Sequence, residues 1–181
     1  MNVTETALPG VLMLEPRIFR DDRGFFFETF NLAKVVELGL SAEWKQDNFS
    51  LSKKNVIRGL HYQISQPQGK LVRVITGAAL DVIVDLRKSS PTFGQHTTVE
   101  LSGENSRMVW IPAGFGHGFA ALTETVALSY KVTDYYSPQS ERCVLWNDPV
   151  LGIDWGVKPE DAILSAKDAV GLPLAQAEVF A

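Results

Sequence analysis

The chain holds three histidines, His61, His96 and His117, and their neighbours decide what each could do. His61 stands in Ile57-Arg58-Gly59-Leu60-His61-Tyr62-Gln63 with Lys70 shortly after, so one stretch gathers an imidazole, a guanidinium, an amide and an ammonium. An imidazole titrates at about pH 6.5 and accepts protons at neutral pH. A lone histidine is more often structural than catalytic, but a concave site gathering such groups is where a general base belongs. His117 lies in Pro112-Ala113-Gly114-Phe115-Gly116-His117-Gly118. His96 follows a turn-like Thr92-Phe93-Gly94-Gln95 and reads as a surface residue without a role.

Metal ligation is the first chemistry to weigh. A metal-binding jelly roll presents His-x-His with a nearby Glu on one strand and another His on a later strand. Here Gln63 occupies the position two after His61, so the ligand set is incomplete and no metal is expected. Cys143, in Glu141-Arg142-Cys143-Val144, has no evident histidine partner in sequence, and neither a Gly-x-Gly-x-x-Gly nor a Walker loop occurs. Ser50 and Ser52 lack the Gly-x-Ser-x-Gly elbow. Tyr130 is either a core aromatic or a weak acid, and Asp134-Tyr135-Tyr136 ends its strand with rings that could stack on a base or sugar. Arg17, Arg20, Arg23, Arg58 and Arg73 fall in the first half. Guanidinium forks suit a diphosphate, while surface ion pairing accounts for most arginines taken singly.

The elements that must position these groups are mostly strands. Short runs alternate polar and apolar residues between Gly, Pro, Asn and Ser, which places strands at Val11–Phe19, Gly24–Thr29, Trp44–Ser52, Ile57–Gln63, Lys70–Thr76, Leu80–Asp85, His96–Leu101, Arg107–Ile111, His117–Ala121 and Thr125–Thr133. A helix is expected over Asn31–Gly39, capped by Asn31 and ended by Gly39, and a second, short one after Lys158-Pro159. The tail from Gly171 is weakly patterned. The pattern predicts an all-β jelly roll with short peripheral helices, a single domain over residues 1–181. Period-two alternation puts Tyr130 and Leu128 on one face, and Arg58 opposite His61 unless a bulge intervenes. The residues of Val11–Thr29 either pair with a second chain in a symmetric dimer or add to the chain's own sheet.

Bulk properties exclude other classes. Among 181 residues, 17 Lys+Arg against 21 Asp+Glu give a net charge of −4, and Lys53-Lys54 is the densest basic pair, so nucleic acid is not expected as a partner. A single cysteine fits a reducing cytoplasm, and neither a secretory leader nor a membrane-spanning run is expected.

Several segments together resemble one family, the dTDP-4-dehydrorhamnose 3,5-epimerases, cupin-fold enzymes of deoxysugar biosynthesis. They are Arg17-Ile18-Phe19 through Asp22-Arg23-Gly24-Phe25-Phe26-Phe27-Glu28, Gln46-Asp47-Asn48-Phe49-Ser50, Arg58-Gly59-Leu60-His61-Tyr62-Gln63, Gln68-Gly69-Lys70-Leu71-Val72, Asp81 to Arg87, Ile111 to Phe119, Tyr130-Lys131 with Thr133-Asp134-Tyr135-Tyr136, Trp146-Asn147-Asp148-Pro149 and Leu164-Ser165-Ala166-Lys167-Asp168. The resemblance implies a substrate of dTDP-4-dehydro-6-deoxyglucose, whose C4 ketone acidifies C3 and C5, and no cofactor. It implies His61 as base with Asp168 as its carboxylate, Tyr130 as acid and Lys70 facing the enolate oxygen. Arg23, Glu28, Gln46, Asn48, Arg58, Lys70, His117, Tyr136, Glu141 and Lys167 match substrate-contacting positions, with Phe19 and Phe26 as weaker thymine contacts. Arg23, Glu28 and Gln46 to Asn48 are implied to serve a site shared across a homodimer. Epimerisation of one carbon only, a ketoisomerase, and a metal-dependent or non-catalytic cupin remain alternatives.

Overall fold

A computed structural model describes residues 1–41 and 43–181. Its strands are β1 (Asn2–Glu5), β2 (Leu12–Glu15), β3 (Phe19–Asp21), β4 (Gly24–Phe26), β5 (Gln46–Lys53), β6 (Ile57–Gln63), β7 (Lys70–Thr76), β8 (Ala78–Asp85), β9 (His96–Ser102), β10 (Met108–Ile111), β11 (Phe115–Ala121), β12 (Thr125–Val132) and β13 (Glu141–Cys143), with one α-helix, α1 (Leu32–Glu37). A six-stranded sheet in the order β1-β2-β10-β7-β12-β5 faces a five-stranded sheet, β13-β6-β11-β8-β9, with antiparallel pairing throughout. This is the jelly roll expected from the alternation.

Inward positions spaced by two fill the space between the sheets. Val72 and Val74 of β7, Val126 and Leu128 of β12, Ile83 of β8 and Phe115 and Phe119 of β11 form this central core. The outer face of the six-stranded sheet buries Leu14, Leu71, Met108 and Trp110 beneath Val35 of α1 and Leu40. The opposite outer face is covered by the segment after β13, including Trp146, Leu151, Trp155 and Leu174. The weakly patterned tail is therefore packed, and the Tyr62 hydroxyl donates to Glu178 O.

Several boundaries differ from expectation for identifiable reasons. The run Val11–Phe19 breaks after Glu15 at Pro16, which has no N–H to give a ladder. Strands β1 and β2 add to the chain's own sheet, whereas β3 and β4 form a separate two-stranded hairpin. Helix α1 lies within the expected range, with Asn31 Oδ1 accepting from Lys34 N and Gly39 at φ +74° just beyond its end. After Lys158 there is only a 3-10 turn, Pro159–Asp161. Among the described residues, no helix is long and apolar enough to cross a membrane.

One irregularity matters for the site. Between His117↔His61 and Phe119↔Arg58, two steps along β11 oppose three along β6, so β6 carries a bulge. Arg58 and His61 consequently line the same cleft despite their odd spacing. Gly59 makes this possible: its φ is +128°, and a Cβ there would lie 2.5 Å from Gly118 Cα.

Candidate active site

At one end of the jelly roll the inward residues turn polar. On β12 they run Val126, Leu128, Tyr130, and on β7 Val74, Val72, Lys70, so the strands that build the core deliver chemistry at their ends. The resulting cleft has a volume of about 430 Å³ and is lined from both sheets. His61 and His117 come from the five-stranded sheet, and Asn48, Lys70 and Tyr130 from the six-stranded sheet.

His61 Nε2 lies 2.6 Å from Asp168 Oδ1. The approach is bent, leaving the buried Nε2 without an aligned hydrogen-bond partner. Asp168, only 3% exposed, sits in a 3-10 turn that packs against β6. Its carboxylate accepts from Gly59 N at 3.1 Å and from Ser165 Oγ at 2.6 Å. Burial alone would raise its pKa, but His61, Ser165 and the Gly59 amide outweigh burial and hold it at about 2. A stable anion thus stands beside the imidazole.

Lys70 is buried and donates from Nζ to His61 O at 3.1 Å, crossing from one sheet to the other. Burial pulls its pKa down to about 8, against the opposing pull of Asp81 and Glu141. His117 Nε2 meets Asp81 Oδ2 at 2.9 Å, with Asp81 fully buried. Burial depresses the His117 pKa more than Asp81 raises it, which favours the neutral ring. Burial raises the Tyr130 pKa, followed by the charge of Glu141, while Arg58 and Lys167 oppose that rise. Arg58 is held by Nε donating to Ser52 Oγ at 3.1 Å.

At the rim, Glu141 pairs with Lys167 and accepts from the Tyr136 hydroxyl at 2.8 Å. Gln46 does not line the cleft itself but donates to Asn48 Oδ1 and accepts from Tyr136 N, tying β5 to the rim. Gln63 donates to Gln66 O and Tyr135 O and accepts from Ser137 N, so it is occupied in holding loops.

A family model described as dTDP-4-dehydrorhamnose 3,5-epimerase matches residues 5–176. The chain belongs to that family. It is 54% identical over 181 residues to the dTDP-4-dehydrorhamnose 3,5-epimerase of Salmonella typhimurium, covering 98% of this chain and 97% of the relative. The epimerase of Pseudomonas aeruginosa is 51% identical over 181 residues, with 99% of each covered. Among solved structures, dTDP-6-deoxy-D-glucose-3,5-epimerase from Legionella pneumophila, in complex with dTDP-4-keto-L-rhamnose, superposes with a TM-score of 0.94 at 49% identity, over 97% of this chain and 93% of that one.

Of the residues the epimerase resemblance singled out, His61, Asp168, Lys70, Tyr130, Asn48, Arg58, His117, Tyr136, Glu141 and Lys167 meet in the one cleft. Arg23 and Glu28 do not. Arg23 is bound to Asp21 on the exposed hairpin, and Glu28 to Lys34 and Asn31. Phe19 and Phe26 are likewise exposed on that hairpin. Sequence reasoning missed three neighbours: Ser165, the Asp81 partner of His117, and Cys143, which lies beside His61 after all. Ser165 had a local signal, a hydroxyl three residues before a carboxylate. Asp81 and Cys143 reach the histidines only through strand pairing.

Proposed function

We propose that this chain converts dTDP-4-dehydro-6-deoxy-D-glucose to dTDP-4-dehydro-L-rhamnose by inverting C3 and C5 through an enolate, with His61 as base and Tyr130 as acid. The observation that carries the reading is the placement of the two groups on different sheets of one cleft, with the buried Lys70 ammonium reaching between them. Inversion needs a proton removed from one face and another delivered to the opposite face, which a single side chain cannot do.

The C4 ketone makes each flanking C–H acidic, and the electron pair left by proton removal moves onto the ketone oxygen. A positioned general base contributes about 10²–10⁴-fold, too little alone for a carbon acid. The enolate oxygen therefore needs a cation, and a preorganised donor to an oxyanion contributes on the order of 10²–10³-fold. Lys70 supplies it from a buried position where charge interactions are strong. Asp168 balances the imidazolium formed at His61, and Tyr130 returns a proton from the far wall. Arg58 and Lys167 oppose the rise in its pKa and so stabilise its phenolate.

A homodimer completes the site in this reading. Arg23 and Glu28 lie outside their own cleft, on and just after a hairpin that exposes Phe19, Phe25 and Phe26, and a second copy of the chain can present them to its neighbour. The dimer works in the cytoplasm, in keeping with the unpaired Cys143. The whole chain acts as one domain, with the segment after β13 covering the outer face of the five-stranded sheet.

Proton NMR of the product tests the reaction. Ring couplings showing inversion at both C3 and C5 support it, inversion at one centre makes the chain a mono-epimerase, and unchanged substrate refutes it. Subunit mixing tests the shared site: His61→Ala and Arg23→Ala are each inactive alone, and random re-pairing recovers roughly a quarter of wild-type sites. Absence of recovery would place Arg23 outside the site.

A further inference from the structure

Cys143 has no part in the proposed reaction, yet β13 pairs with β6 so that Cys143 stands opposite His61 in register. A sulfur, a His61 ring nitrogen and an Asp168 carboxylate oxygen all lie within 4.8 Å of one another. His61 Nε2 is buried and lacks an aligned partner despite its 2.6 Å approach to Asp168. The thiol donates to Val144 O at 3.5 Å.

One nitrogen, one sulfur and one carboxylate oxygen are a donor set that suits a borderline-soft divalent ion with three protein ligands and an open fourth position. Bond lengths of about 2.0–2.3 Å place the ligand atoms of a tetrahedral site roughly 3.3–3.8 Å apart. The separations here, from 2.6 Å up to at most 4.8 Å, bracket that span, and side-chain rotation supplies the difference. Nothing comparable suits magnesium, which needs near-octahedral oxygen ligands.

We propose that His61, Asp168 and Cys143 form an inhibitory site for a thiophilic divalent cation of the zinc class, between the catalytic cleft that His61 and Asp168 line and the neighbouring hollow that Cys143 lines. The inhibitory sense rests on the role given above to His61, whereas the binding does not. Occupancy takes the Nε2 lone pair, pulls the ring out of its working orientation and ties up the carboxylate that balances it. Charge and protons balance without redox change: neutral imidazole binds with its N–H on Nδ1, Asp168 stays ionised, and the thiol releases one proton to water. The cation displaces the thiol proton on binding, as a metal does at any cysteine ligand.

The test uses Co²⁺ on the full chain, because a cobalt–thiolate bond gives a near-ultraviolet charge-transfer band whether or not the protein is active. The expected result is one band per chain, abolished by Zn²⁺ competition and absent in Cys143→Ala. Zn²⁺ is expected to inhibit the wild type reversibly, with EDTA restoring activity. Cys143→Ala keeps its basal epimerisation and needs about 10–100-fold more Zn²⁺ for the same inhibition. Absence of the band in wild type, or equal zinc sensitivity in Cys143→Ala, overturns the proposal. A band in a protein that does not epimerise the sugar would instead refute the proposed function and leave the metal site standing.

Discussion

Two histidine–carboxylate pairs face each other across neighbouring strands, His61 with Asp168 and His117 with Asp81, and His61 and His117 are direct partners in the β6–β11 register. Their side-chain chemistry is the same and their burial is not: 29% of the His61 side chain is exposed against 8% for His117. Partial exposure lets the first ring exchange protons with a ligand. Deep burial depresses the pKa of the second and ties it to a carboxylate that has no other way out of the core. In the proposed reaction the same pair of side chains thus serves chemistry at the cleft wall and stability a few ångströms away.

That contrast makes ordered predictions. The largest effect belongs to His61→Ala, which lowers kcat by about 10²–10⁴-fold while lowering the urea midpoint less than His117→Ala does, because Asp168 keeps its hydrogen bonds from Gly59 N and Ser165 Oγ. A loss of stability as large as that of a core variant would put His61 on the structural side of the comparison.

Lys70→Met comes next, with kcat down by roughly 10²–10³-fold. Its pH behaviour is distinctive. In wild type the ammonium is lost as pH rises through about 8, so activity declines on that alkaline limb, and the limb disappears in the variant. For stability the sign runs the other way. The folded pKa lies below the ordinary value of 10.5, so the unfolded chain binds the extra proton between about pH 8 and 10.5 and stability rises with pH across that window. Below pH 8 the full cost of burying the charge is present, and Lys70→Met is expected to raise the urea midpoint there. A variant both less active and less stable at pH 7 would show that the Nζ bond to His61 O outweighs desolvation.

His117→Ala should invert the His61 pattern. It leaves the buried Asp81 carboxylate without its hydrogen-bond partner, at a cost of about 1–3 kcal/mol, while the folded fraction retains more activity than His61→Ala. Ser165→Ala is the mildest, lowering kcat by about 3–10-fold through the loss of the hydrogen bond donated to the Asp168 carboxylate, along with the one accepted from Asp168 N. An unchanged kcat would mean that Ser165 only packs the turn.

Much of this was legible in the sequence, because both the jelly roll and its cleft follow from period-two alternation. Tyr130 and Leu128 share a face as their spacing requires, and β5 to β12 all fall within two residues of the expected runs. The Arg58–His61 relation was not legible, since the alternation rule fails at a bulge that only a glycine lying against Gly118 allows. The contacts of Asp81 and Cys143 were hidden for a different reason. Strand register brings them to the histidines from 36 and 82 residues away, and no local pattern encodes a partner at that distance. The hairpin carrying Arg23 shows a third limit: its residues match the family, but they lie outside the cleft of their own chain.

The central claim is that base and acid are separate groups on opposing walls. It is tested by deuterium uptake into dTDP-4-dehydro-6-deoxyglucose in D₂O, comparing wild type, His61→Ala and Tyr130→Phe. The account predicts uptake at C3 and C5 with inversion in wild type, none in His61→Ala, and uptake without inversion in Tyr130→Phe, where the base still works and returns the label to the face it came from. Uptake that survives in His61→Ala, or inversion that survives in Tyr130→Phe, would contradict it.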